Sequence, residues 1–514
     1  MATAASMTAR SLQSTPTTDN AALEKDIEGA GGFSDISKDS VHTDASTEKL
    51  VCDWTEAEER KVVRKLDLVV LLLLFFGFVS FQLERNNIAN AVSSTLFKDV
   101  GIQQNQYNTG QGLLYLGIIL FEIPSQMLIQ KLGPQRWLTF QVFAFGLVAT
   151  LQMFMHNYGS FLATRIVLGI VECGFIPGAL YTLSTFYKRS ELGSRTSFFY
   201  LGNVIVIGIG GLMAAGILRI RNHLRPWQNL FLVEGCVAIF CALVFLIFLP
   251  DSPQNPLPLL GKRFSPFTQR EREIIYSRVI IDDPGKAGPR APLTRHEIMD
   301  TLSNWRNYPH VLHIVACVTA SSAMTQYAPL LIKGFGFDTI RANALSSVGG
   351  WIAVLVMASS GLLSDRLRSK GPLVIALTTC SLVMWIAFQS MSRTPNKWGK
   401  YATMALTTGF ALTWHPLNAT WLSLNQRTPQ HRAIAMAMFA MASNVGALCG
   451  SQLLRANDAP TYPVGFRVGV GLVAFGTGVA LVQHLQYRWS NRQNQARIAR
   501  GEELRNDKPE VYVL

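Results

Sequence analysis

Charge is what this sequence has least of. Only 15% of its 514 residues are Asp, Glu, Lys or Arg, and acids are the scarcer sign, 33 against 46 bases, for a formal net charge of +13. Soluble domains carry about 25% charged residues, so an ordinary water-facing surface is excluded. The first sixty residues, beginning MATAASMTARSLQSTPTTDNAALEKD, have no apolar core of the kind a secretion signal needs. They read as a disordered tail. The seven cysteines form no CxxC and no pairing with His, and Cys173, Cys236, Cys241, Cys317, Cys380 and Cys449 fall inside apolar runs. That leaves buried structural thiols as the expectation, not a disulfide framework. No nucleophile stands beside a base, no phosphate loop follows a strand and no metal-ligand cluster occurs, so nothing points to an enzyme or a cofactor.

What is abundant is hydrocarbon. Hydrophobic residues make up 49% of the chain and the mean hydropathy is +0.22. A membrane-crossing helix needs about 20 apolar residues, and twelve such runs recur, near 66–92, 107–131, 136–156, 160–187, 194–218, 227–250, 308–333, 340–366, 372–391, 399–425, 432–455 and 463–488. The sequence therefore predicts an all-α integral membrane protein with twelve transmembrane helices in two six-helix halves. Its expected parts are a tail (1–60), a first half (61–250), a central loop (251–307), a second half (308–489) and a second tail (490–514). Within the central loop, Thr268 with Glu271 and Thr294 with Glu297 have capping-box spacing, which predicts two short surface helices.

Basic residues set the orientation. Arg60, Lys61, Arg64 and Lys65, the central loop, and Arg488 to Lys508 all carry positive charge, which places both tails and the loop in the cytoplasm, against anionic lipid. Arg219, Arg221 and Arg225 oppose the rule, so the assignment rests on the tails and the loop. With the basic surplus so placed, nucleic acid is not an expected partner.

Six plus six helices around a long loop is the layout of transporters with a site between two halves. The loop after the eighth span, GLLSDRLRSKGP (361–372), resembles the G-x-x-x-D-R motif of the major facilitator superfamily; its counterpart MLIQKLGPQRW (127–137) lacks the Asp. A closer resemblance is carried by ERNNIANA (84–91), FEIPSQMLIQKLGPQRW (121–137), TRIVLGIVECGFIPGALYTLSTFY (164–187), WQNLFLVEGCVAIFCALVFLIFLPDSP (227–253) and WLSLNQRTPQHRAIAMAMFAMASNVG (421–446). Together these resemble the anion:cation symporter family, in particular its fungal allantoate and nicotinate permease branch, over about 61–489. The resemblance implies proton-driven uptake of a small organic anion, with paired charges on the first and fourth spans. Glu84 stands where the family usually has Asp, and Trp351 replaces a Pro-rich stretch.

The charges inside the spans support that implication. Each charge at a helix centre costs about 2.5 to 3.5 kcal/mol on insertion scales, so Glu84 and Arg85 need partners. As chain neighbours they point about 100° apart and reach for other helices. The fourth span offers Arg165 and Glu172, seven residues or about 10 Å apart on one face. Arg85, and second Arg165, is the expected carboxylate-binding residue, because a guanidinium fork grips carboxylate bidentately; Glu84 and Glu172 are the expected proton carriers. A buried ion-pair lock is the alternative. Tyr115, Asn203, Tyr327 and His415, with Gln326, Asn418 and Trp421, are further candidates to line a cavity, each also able to bridge helices. Gly208, Gly210 and Gly211 read as close-packing positions. The expected partners are a small organic anion, protons and the bilayer, the chain a monomer in the plasma membrane; export or facilitated passage of a fungal secondary metabolite, and a transport-dead sensor, are the other readings.

Overall fold

A computed structural model describes residues 53–261, 264–283, 294–367, 369–426, 429–500 and 512–513. The expected first tail lies outside the described residues up to position 52. Helix already begins at Glu56, ahead of the expected boundary at 60, where Thr55 and Glu58 exchange capping bonds (Thr55 N–H to Glu58 Oε2, 2.8 Å; Glu58 N–H to Thr55 Oγ1, 3.3 Å).

Among the described residues, eleven helices are long and apolar enough to cross a membrane. They are the first (Glu56–Val92), second (Gln104–Leu132), third (Pro134–Phe154), fourth (Tyr158–Phe186), fifth (Glu191–Ile217), sixth (Pro226–Phe248), seventh (Trp305–Gly334), eighth (Thr339–Ser364), ninth (Gly371–Met391), eleventh (Gln430–Ser451) and twelfth (Pro463–Ala499) spans. The tenth is present as two pieces, Lys397–Phe410 and His415–Leu424, joined by a turn at 411–414. Pro416, without an N–H, suits the start of a new helix and not the interior of a long one.

The two halves repeat each other. In the first half the first span packs on the fifth and sixth, the second on the fourth, and the third on the sixth. Six spans later the same pairs recur: seventh on eleventh and twelfth, eighth on tenth, ninth on twelfth. The halves meet where the fifth lies on the eighth, the second on the eleventh and the first on the seventh. Apolar side chains turned outward, such as Leu120, Phe240, Leu355 and Leu362 at 61–71% exposure, form the surface that lipid covers. Cys236, Cys380 and Cys449 are exposed on that surface, contrary to the expectation of burial; Cys173 and Cys317 are buried. An apolar run predicts a membrane depth, not which face of the helix looks inward. Gly208 and Gly211 are the expected close contacts, with Trp351 and the Asn343 carbonyl within 2.9 and 2.4 Å of where a Cβ would sit; Gly210 has only ordinary contacts.

At the end opposite the central loop the halves are laced together. Gln104 and Asn108 amides donate to the Leu454 carbonyl (3.0 and 2.8 Å), Gln452 to the Asn108 carbonyl (2.8 Å), and Lys333 and Asn343 to Ser93 (both 2.7 Å). This lacing closes that end of the bundle. At the loop end, the expected helices form as Gln269–Asp282 and Arg295–Ser303, each with its capping box. The first docks on the first half through Lys65–Glu271 (2.7 Å) and through Arg278, which pairs with Glu59 (3.2 Å) and Glu191. Partial burial pushes the Glu271 carboxyl up, but the Lys65 ammonium and the Thr268 N–H outweigh it and hold it below its usual range.

Candidate transport site

The fourth span does not run straight through, as its apolar pattern predicts. It stops at Glu172, passes through extended Cys173 and left-handed Gly174 (φ 77°), and restarts at Phe175. A break inside a membrane frees carbonyls that cost several kcal/mol each if left bare. Polar side chains of the second and third spans take them up: Ser125 Oγ donates to the Cys173 carbonyl (2.9 Å) and so does Gln141 Nε2, while Gln126 Nε2 donates to the Gly174 carbonyl (3.0 Å). Trp137 Nε1 in turn donates to Ser125 Oγ at 3.0 Å. The FEIPSQ motif thus shapes the backbone next to Glu172.

A Cβ on Gly174 would sit 2.3 Å from Ser125 Oγ, on a backbone that side chains resist. Gly174→Ala is expected to lower the thermal midpoint of the purified protein, through a loss of about 1 to 3 kcal/mol. Gly361→Ala, with nothing within 4 Å of its Cβ position, is the matched control. Equal midpoints for the two variants would contradict this role for the break.

Four of the predicted charges converge beside it. Arg85 Nε donates to Glu172 Oε2 at 3.1 Å, so Arg85 pairs across to the fourth span and not with its neighbour Glu84. Glu84 is fully buried, with Oε1 accepting from Gln152 Nε2 at 3.1 Å and Oε2 unpartnered. Glu84 is a charged neighbour of Glu172. Arg165 is 1% exposed, its Nε and Nη2 without acceptors, with Glu84, Glu172 and Tyr107 as its electrostatic surroundings. Arg85 differs in being 22% exposed at its side chain. Its guanidinium lies over the rings of Phe81 (4.9 Å) and Tyr115 (5.6 Å), and Tyr115 OH meets Gln326 of the second half at 3.5 Å.

Not every candidate belongs to this cluster. Tyr327 is buried in the lacing between the halves, its OH donating to Asn108 Oδ1, so it seals the closed end. Asn203 accepts from Gln82 on the first span. His415 opens the inner piece of the tenth span and faces the eleventh, Nε2 against Ser443 Oγ (3.1 Å) and ring against Phe439 (4.8 Å). Two acids that belong here were overlooked in the sequence. Glu234, in the LVEG stretch of the sixth span, is 3% exposed with Oε2 unpartnered, and Glu84 is the charged group that acts on it. Glu122, in FEIPSQ, accepts from Asn444 of the eleventh span (3.4 Å) and senses Arg85. An isolated acid inside an apolar run was signal enough to find both.

This arrangement, a helical bundle of two repeated halves with ionisable groups buried among its spans, is that of a multi-pass membrane transporter, not an enzyme. Residues 74–451 match the family model of the Major Facilitator Superfamily, and the chain belongs to that family. It is similar to an uncharacterized transporter of Saccharomyces cerevisiae, 30% identical over 444 residues that cover 85% of this chain and 82% of the relative. It is 28% identical to the MFS-type transporter cnsO of Penicillium expansum, over 84% of each chain. Among solved structures it resembles an inward-facing, unoccupied bacterial homolog of the human lysosomal transporter Spinster (TM-score 0.62, 13% identity, 84% of this chain and 97% of that one). A D-xylose–proton symporter superposes at TM-score 0.61 with 15% identity, over 81% of this chain and 97% of that one. At such identities the likeness is one of fold.

Proposed function

We propose that this transporter is a proton-coupled symporter of small organic anions, monocarboxylates above all, carrying them into the cell as a monomer in the plasma membrane with both tails in the cytoplasm. The observation that supports it most is the state of Arg85. It lies over Tyr115, whose OH reaches Gln326 of the second half; its Nε is paired with Glu172, while among the described residues no hydrogen bond engages its outer Nη edge. A carboxylate entering between the halves would find that edge presented to it. Arg165, fully enclosed, serves as the fixed positive charge behind the two acids.

Charge balance supplies the coupling. Arg85 and Arg165 face Glu84 and Glu172, so this quartet is neutral with both carboxyl groups ionised. An arriving carboxylate adds a negative charge in a low-dielectric place and draws in a proton. Anion and proton then move together because either alone leaves a bare charge in the bilayer.

The resemblance to allantoate and nicotinate permeases makes those two acids the first probes. Uptake of a labelled acid panel, including both, at two external pH values in cells lacking their own permeases tests the reading. Faster uptake at the lower pH, saturable by one class of acid, is expected. Uptake indifferent to pH would replace symport by facilitated passage.

A further inference from the structure

The inner piece of the tenth span, His415–Leu424, is a ten-residue helix hinged at the turn before it. Its free end lies at the loop end of the bundle, the end that must rearrange when the two halves rock about a central site. Something outside the span ties that end down. Asn425, directly after the helix, accepts the Val513 N–H at Oδ1 (2.7 Å) and donates from Nδ2 to the Val513 carbonyl (3.2 Å), and Trp421 Nε1 donates to the same carbonyl (2.8 Å). On the twelfth span, Asn491 treats the preceding residue the same way: Oδ1 accepts the Tyr512 N–H (2.7 Å) and Nδ2 donates to the Tyr512 carbonyl (2.9 Å). Two asparagines therefore read both polar edges of two successive residues.

Side chains add selectivity. The Tyr512 ring is 4% exposed and stacks on Tyr487 at 5.0 Å and 11°, with the Arg306 guanidinium of the seventh span 5.6 Å from its centre. Tyr487 OH meets His310 Nε2 (3.1 Å), whose Nδ1 meets Asn418 Oδ1 (2.6 Å) on the same inner helix. The groove thus has amide clamps for any backbone and a slot for one aromatic ring, with walls from the seventh, tenth and twelfth spans.

We propose that this groove is a peptide-binding site whose ligand is the chain's own Tyr512–Val513 segment, and that its occupancy locks the inner tenth helix to the twelfth span. Filled, it holds the transporter in the conformation seen here, laced shut at the end opposite the loop. Emptied, it frees the inner helix to move and the laced end to open. The proposal needs only that the chain alternates between conformations, and it stands or falls apart from proton coupling.

The test is a distance across the laced end, measured between spin labels on Thr109→Cys and Thr461→Cys, both exposed positions, in an otherwise cysteine-free full chain in lipid nanodiscs. The intact chain should give a predominantly short distance. Removing residues 511–514 should raise a longer-distance population at least threefold, and a synthetic PEVYVL peptide at millimolar concentration should reverse the change while its Tyr→Ala form does not. Tyr512→Ser, which keeps the chain length, should behave like the truncation. Identical distributions in intact, truncated and Tyr512→Ser protein would overturn the lock. A shift on truncation that PEVYVL leaves unreversed would overturn the groove as a peptide site.

Discussion

Glu172→Gln protein in sealed vesicles is expected to exchange labelled for unlabelled anion across the membrane, yet fail to concentrate it when the outside is acidified. Glutamine is a permanent stand-in for the protonated acid, so the anion still binds while the gradient has nothing to act on. A one-unit pH gradient coupled to one proton supports about tenfold accumulation, since each unit is worth 1.36 kcal/mol; the variant should fall to a ratio near one. Glu84→Gln ranks the two. Accumulation that persists in both variants would move the proton to Glu234, the third buried acid, and remove it from the pair.

Arg85→Lys is expected to depress uptake severely while the protein still inserts and folds. Hydrogen bonds to charged groups contribute about 1.5 to 3 kcal/mol, so losing the fork predicts a rise in apparent KM of roughly tenfold to a hundredfold. Lysine keeps the charge facing Glu172, which isolates geometry from electrostatics. Arg165→Gln predicts a different failure. Its guanidinium is enclosed, and removing one side of a buried charge set costs about 3 to 5 kcal/mol, so the yield of folded protein should drop before any kinetic constant is read. A normal KM in Arg85→Lys would take the substrate carboxylate away from this residue.

How much of this was readable beforehand follows from what each signal encodes. Apolar runs encode membrane depth, so the spans and the two-half division were visible, as were the capping boxes at Thr268 and Thr294. The breaks at Cys173–Gly174 and at 411–414 were not, because the residues that make them tolerable, Ser125, Gln126 and Gln141 at the first and Ser321 at the second, lie on other helices. Glu84, Arg85, Arg165 and Glu172 stood out because charge in hydrocarbon demands partners, and the same reasoning applied without exception would have found Glu234 and Glu122. Tyr327 and His415 show the limit of polarity alone: one side chain seals the halves and the other braces the eleventh span. The lodging of Tyr512 depends on Asn425 and Asn491, far apart in sequence and unremarkable singly.

Proton-coupled anion import is tested most directly with purified wild-type protein reconstituted into vesicles, with no membrane potential and an inward proton gradient imposed at time zero. The account predicts a transient accumulation of labelled nicotinate, allantoate or another monocarboxylate of the panel above its equilibrium level, accompanied by alkalinisation outside and abolished by a protonophore. Entry that only ever approaches equilibrium, at a rate the gradient does not change, would contradict it.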